Sequence, residues 1–134
     1  MSLNVQTPAE FNLIRERDGS VVVARCRPAF TFLSRLRGWM FTDPVAQDQG
    51  LLLNPCKDIH MGFMRFPIDA VFLMALEKPV SRSKRFEVTS IRPGLRPWNL
   101  LPVRDGRADA TLELPVGAAA RSGITPGEVL ICSS

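Results

Sequence analysis

Residues that commonly carry chemistry are scarce in this chain. It has one histidine, His60, and three cysteines, Cys26, Cys56 and Cys132, none of them in a Cys-x-x-Cys pair. A structural zinc site needs closer ligand pairs than these. An odd, unclustered set of cysteines reads instead as free thiols in a reducing compartment. No apolar run approaches the roughly 18 residues that span a bilayer. The N-terminal stretch MSLNVQTPAEFNLIRERDG lacks a basic segment followed by an apolar one, so it does not read as a secretory signal. A cytoplasmic protein is expected, without a membrane partner. Repeats, linkers and low-complexity tracts are lacking, and no nucleic-acid motif accompanies the basic charge, so nucleic acid is not an expected partner.

The chain has 134 residues, enough for one domain with one substantial core. Eleven prolines and nine glycines are spread along it, punctuation that suits many short elements better than long helices. The net charge of +4 comes almost wholly from arginine. Arg15, Arg17, Arg25, Arg27, Arg35 and Arg37 lie in the first third, and a second basic stretch runs from Lys78 to Arg107. Such charge either attracts phosphate-bearing partners or forms a solvated surface.

Two apolar-rich runs, 11–16 and 20–25, flank Asp18-Gly19, a strong hairpin signal because both residues tolerate positive φ. In TFLSRLRGWMF, Phe32, Leu36 and Trp39 or Met40 recur at helical spacing, and Gly38 is placed to end that helix in a left-handed conformation. TDPVAQDQG reads as a loop and GLLLN as a buried strand. PCKDIH reads as a connection, MGFM as strand or turn. IDAVFLMAL is the strongest strand and FEVTSIRPG another, while RPWNLLPVRDG reads as irregular. In ADATLEL, Ala108, Ala110, Leu112 and Leu114 share one face and Asp109, Thr111 and Glu113 the other. PVGAAARSGI allows a short helix closed by Gly123, and TPGEVLIC a final strand. The sum predicts a single mainly β domain over 1–134, an antiparallel β sandwich or barrel of seven or eight strands with two short helices, 1–27 forming an N-terminal hairpin.

Candidate chemistry concentrates in NPCKDIHMGFMRFPID, residues 54–69. Cys56, His60 and Met64 are spaced by four, and thiolate, imidazole and thioether together suit a soft metal such as copper. Pro55 and Gly62 interrupt any continuous element, and soft residues more often fill cores than bind ions. A Cys56–His60 nucleophilic pair needs a low-pKa thiolate; Lys57 favours one and Asp58 opposes it. Asp69 opens the strand beside Val71 and Leu73, where a carboxylate is costly unless satisfied. Arg65 or backbone N–H groups of the MRFP turn are its candidate partners. It is either a structural acid that fixes the turn or a pocket acid with a raised pKa. Trp98, in an irregular loop with Arg92 and Arg96, is either a stacking platform with anion-holding arginines or a lid over the core.

The blocks SRLRGWMF, DQGLLL, HMGFMRFPIDAVFL, RPW, LELPVG, GI and PGEVL occur in that order. Over 28–132 the sequence closely resembles the uncharacterised prokaryotic family catalogued as domain of unknown function one-nine-two. Gly38, Met40, Gly50, Met64, Pro67, Asp69, Trp98, Glu113, Gly117 and Gly127 fall on that family's pattern. Trp39 stands where leucine is more usual. Many relatives carry a Trp-Met-Lys-Asn-Thr-like run in place of HMGFMRF, so the resemblance supports Met64 and Asp69 over His60. It implies a mainly β, sandwich-type fold and positions of interest, but no reaction.

The sequence thus leads to a non-catalytic binding domain for a small polar or anionic ligand, with Met64, Arg65, Asp69, Arg96 and Trp98 at its site. Asp69 orients the ligand, Arg65 or Arg96 pairs with an anion, and Trp98 stacks. One alternative is a small hydrolase-like enzyme with Asp69 or Glu113 as general base. Another is copper binding through Cys56, His60 and Met64. No cofactor is expected. The chain is expected to be a monomer or homodimer, the dimer pairing through an open sheet edge.

Overall fold

The computed structural model of the chain describes residues 9–40, 42–99 and 101–134, with backbone alone at Phe32, Leu33 and Leu36. Residues 1–8 of the expected N-terminal hairpin lie outside the described residues, as do Phe41 of the first helical segment and Leu100 of the segment after Trp98.

Nine strands form. They are β1 (Phe11–Arg15), β2 (Val21–Ala29), β3 (Gln49–Leu53), β4 (Asp58–Ile59), β5 (Ile68–Ala75), β6 (Arg85–Leu95), β7 (Val103–Arg104), β8 (Ala110–Pro115) and β9 (Val129–Ser133). Seven close into a barrel in the order β1-β2-β3-β8-β5-β6-β9, and β4 and β7 pair separately. The mainly β expectation holds, and of its two forms the barrel is the observed one. The connections expected in PCKDIH and RPWNLLPVRDG each contribute a two-residue strand, too short to show a period. Closure of the barrel also removes the open edge on which a dimer was expected to pair. Among the described residues no helix is long and apolar enough to cross a membrane.

Local chemistry explains the joints. Asp18-Gly19 turns β1 into β2, with Gly19 at φ +73° and the Ser20 N–H donating to Asp18 Oδ1 at 2.9 Å. Helix α1 (Phe32–Arg37) opens on a reciprocal cap in which Thr31 Oγ1 accepts from the Ser34 N–H and Ser34 Oγ from the Thr31 N–H. It ends at Gly38, whose φ of +50° and ψ of −128° lie outside the left-handed helical region that the sequence suggested. Helix α2 (Ala118–Ser122) ends on Gly123 in the left-handed conformation, as expected.

All barrel neighbours are antiparallel except β2 and β3, which are parallel with Arg25 opposite Gln49 and Ala29 opposite Leu53. A parallel pair cannot be joined by a tight hairpin. The connection between them, described at 30–40 and 42–48, therefore returns outside the barrel and carries α1 with it.

The period-two alternation of the strands sorts the apolar residues into two cores. Leu13, Val23, Leu52, Val71, Leu73, Phe86, Val88, Leu112, Leu114 and Leu130 come from all seven barrel strands and fill its interior. Leu51, Leu53, Ile68, Ala70 and Phe72 point outward instead. They are covered by Trp39, Ile59, Met61, Met64 and Phe66 from the surrounding segments, Trp39 and Phe66 meeting with ring centroids 5.8 Å apart. Each fully buried Leu or Phe is worth about 1.5–3 kcal/mol relative to exposure. The outer layer therefore holds its segments to the barrel and encloses the cleft described next.

Candidate functional site

A cleft of about 300 Å³ opens between the end of α1, the segment after β3 and the outer face of β8. Arg35, Arg37, Gly38 and Met40 form one wall; Leu53, Pro55, Cys56, Asp58, Ile59, His60 and Met64 form the other; Glu113 is the floor. Arg35 spans the two walls, its Nη1 donating to the Pro55 carbonyl at 2.9 Å. The Thr111 hydroxyl donates to the Cys56 carbonyl at 2.9 Å and ties the second wall to β8.

Glu113 is the unusual residue. It alternates with Leu112 and Leu114, so it points out of the barrel, opposite Leu51 on β3 and Ala70 on β5. It is only 5% exposed. Burial pushes its carboxyl up from 4.5 to about 7, partly opposed by a hydrogen bond from the Trp39 backbone N–H. Its Oε2 is buried and has no hydrogen-bond partner among the described residues. None of the described cations lies within 4.0 Å of it, although two arginines share the cleft. The glycine at position 38 makes room for it: a Cβ there would stand 2.8 Å from Glu113 Oε1.

Cys56, His60 and Met64, the soft-metal candidates, all line this one cleft. Among the described residues no three His, Cys, Asp or Glu side chains stand close enough to hold a metal ion. Burial pushes the Cys56 thiol up, helped by the negative charges of Glu113 and Asp58, while its hydrogen bonds with Thr111 and Asp58 act the other way. That is the opposite of an activated nucleophile.

Of the five residues expected to form a ligand site, one lies in this cleft. Met64 lines the cleft; Arg65, Asp69, Arg96 and Trp98 do not. Asp69 is 1% exposed and its carboxylate is fully engaged with backbone. Oδ1 accepts from the Gly94 N–H at 2.9 Å, and Oδ2 from those of Gly117 at 3.0 Å and Ala119 at 3.1 Å. These are not the partners expected from the sequence, because the strand alternation turns Asp69 to the barrel mouth where α2 begins. Arg65 pairs with Asp43 at 3.0 Å on the surface. Arg96 is exposed. Trp98 is 56% exposed and so is no lid; its ring meets Phe63 edge-on with centroids 4.9 Å apart. Its backbone N–H donates to the Met61 carbonyl, and both Phe63 and Trp98 have φ of +63°.

Sequence reasoning named Glu113 only as an alternative base and took Arg35 and Arg37 as part of a basic stretch. Clean alternation in ADATLEL set Glu113 on the polar face of the strand and carried no sign of what covers that face. The signal available was Gly38 and Glu113 falling on one family pattern, without an indication that they touch.

The fold and site define a small closed-barrel domain with a carboxylate-floored cleft on its outer face. The family DUF192, described as "Uncharacterized ACR, COG1430", matches residues 13–132, and the chain belongs to that family. Solved structures that share the fold include these two. One is a protein of unknown function from Novosphingobium aromaticivorans DSM 12444, 23% identical, with a TM-score of 0.73 over 97% of this chain and 90% of that one. The other is a proposed transcription regulator from Sinorhizobium meliloti 1021, 20% identical, with a TM-score of 0.77 over 95% of this chain and 96% of that one. No curated protein matches the chain.

Proposed function

We propose that the domain binds a small polar or anionic molecule in the cleft floored by Glu113. The observation that carries this reading is the buried, unpartnered Glu113 Oε2. A buried polar atom left unsatisfied costs about 1–3 kcal/mol, and here the fold also reserves the space above it by having glycine at position 38. A ligand donor at Oε2 recovers that cost. Arg35 and Arg37 supply positive charge for an anionic portion, and Met40, Leu53, Ile59 and Met64 supply apolar walls. A few polar groups converging in a partly apolar concavity are the usual make-up of a small-molecule site.

The test is a thermal-shift screen of small polar and anionic compounds on the native chain and on Glu113→Gln. Compounds that raise the melting temperature of the native chain and not of the variant support the reading. If every compound that stabilises the chain does so equally in both, the cleft is not the site.

A second reading, acid–base catalysis, rests on the same residue. A carboxyl held near pH 7 can both accept and donate a proton at neutral pH. Turnover of a bound compound that disappears in Glu113→Gln while binding persists separates catalysis from binding alone.

A further inference from the structure

The cleft offers two buried polar atoms of opposite character. Glu113 Oε2 is an acceptor when ionised, and Arg35 Nε is a donor at all accessible pH values. Both are buried, and neither has a hydrogen-bond partner among the described residues. Nor do they satisfy each other. Arg35 commits its Nη1 to the Pro55 carbonyl, which holds the guanidinium against the far wall, and among the described residues no arginine lies within 4.0 Å of Glu113. The two unmatched groups therefore line one half-open cleft of about 300 Å³.

The chemistry of a ligand follows from pairing both atoms at once. A simple anion would meet Arg35 but set a second acceptor against Glu113. A simple amine would meet Glu113 but leave the guanidinium N–H unpaired. A buried site that loses one of its partners discriminates strongly, because the orphaned group remains desolvated. Resting on the small-molecule reading of the cleft, we infer that its ligand is amphoteric: a small molecule carrying a protonated amine for Glu113 and a carboxylate for Arg35. The volume is at the small end of ligand pockets, which suits a free amino acid or short amino-carboxylate rather than a peptide or nucleotide. Arg37 gives the carboxylate a second cation on the same wall.

Isothermal titration of the full chain at pH 8 tests this with three sets of probes. The first is the common L-amino acids and 4-aminobutyrate. The second and third are the half-molecules, butylamine with related amines and butyrate with related carboxylates. The expected result is that at least one amino-carboxylate binds and that its two half-molecules bind at least tenfold more weakly. Glu113→Gln then weakens the amino-carboxylate at least tenfold without weakening butyrate. Arg35→Gln weakens it similarly without weakening butylamine. If an amine or a carboxylate alone binds as tightly as its amphoteric counterpart, the amphoteric assignment is overturned while the small-molecule cleft stands. If none of the three sets binds, the amphoteric assignment falls, and the screen above decides the broader reading. Thermal unfolding of each variant shows that it is folded. Should Glu113→Gln fail to fold, Arg35→Gln decides alone: a lost preference for the amino-carboxylate over its amine supports the inference, and an unchanged preference overturns it.

Discussion

Glu113 makes the stability of this chain depend on pH in a direction unusual for a carboxylate. Its folded pKa of about 7 lies above its ordinary value of 4.5. Between those values the folded chain holds a proton that the unfolded chain has released. The contribution of Glu113 to stability is therefore greatest below about pH 4.5, falls as pH rises, and is lost once pH has passed through about 7. At about 1.4 kcal/mol per pKa unit the increment is roughly 3 kcal/mol. Urea denaturation from pH 5 to 8 is expected to show this decline, and Glu113→Gln to flatten it and to be the more stable protein at pH 8. A decline of equal size in the variant would assign it to other groups. Position 38 reads the same contact from the other side. Gly38→Ala combines a positive φ with a Cβ 2.8 Å from Glu113 Oε1, whereas Gly19→Ala has the positive φ with nothing within 4 Å. The left-handed backbone penalty of about 1–2 kcal/mol applies at Gly19, while Gly38, at ψ −128°, lies outside that region and adds a backbone cost to the contact. The expected outcome is a clearly larger loss of stability for Gly38→Ala, measured by denaturant midpoint at constant slope. Equal losses would mean that neither the backbone at position 38 nor Glu113 resists the added methyl.

Between elements, Asp69 acts as a clasp. Its three backbone donors come from the end of β6 and the start of α2, so one carboxylate fixes both to the mouth of the barrel. Hydrogen bonds to a charged group are worth about 1.5–3 kcal/mol each. Asp69→Asn keeps the shape but turns an amide donor toward backbone donors, and a loss of roughly 3 kcal/mol in chemical denaturation is expected. Unchanged stability would show that the carboxylate contributes little to holding α2. The sequence made part of this legible. An acid beside Val71 and Leu73 had to be satisfied, and backbone was one of the partners considered. Its actual donors, 25 to 50 positions away, leave no local trace. The strand Ile68–Ala75, the hairpin at Asp18-Gly19 and the closing of α2 at Gly123 were all readable, because each rests on a period or a backbone conformation encoded by adjacent residues. The strands β4 and β7 were not, since two residues cannot show alternation.

Across the whole molecule, closure depends on β9. It pairs with β1 from Asn12–Ser133 to Arg15–Leu130 and with β6 from Arg85–Ile131 to Glu87–Val129, and Leu130 is fully buried in the interior. Removing 129–134 would expose two strand edges and open the core. The truncated chain is expected to lose cooperative thermal unfolding by circular dichroism and to aggregate on size-exclusion chromatography; a monomeric, cooperatively melting product would show that the remaining six strands hold without closure. The candidate site was the least legible feature for a related reason. Its walls come from 35–40 and 53–64 and its floor from 113, and only the return of the chain around the barrel joins them. Read in one dimension, Glu113 was a polar position on an alternating strand. The covering layer that buries it belongs to distant sequence.

That return, residues 30–48 between the parallel strands β2 and β3, separates two design problems. The barrel interior draws on Leu52 and Val23, while the cleft wall draws on Arg35, Arg37, Gly38 and Met40. Changes of length or side chain in the return can therefore remodel the cleft without altering the packing inside the barrel. On the proposed reading of the cleft, ligand preference can drift along that one segment while the scaffold stays the same, and the same segment is the natural place to graft a new specificity.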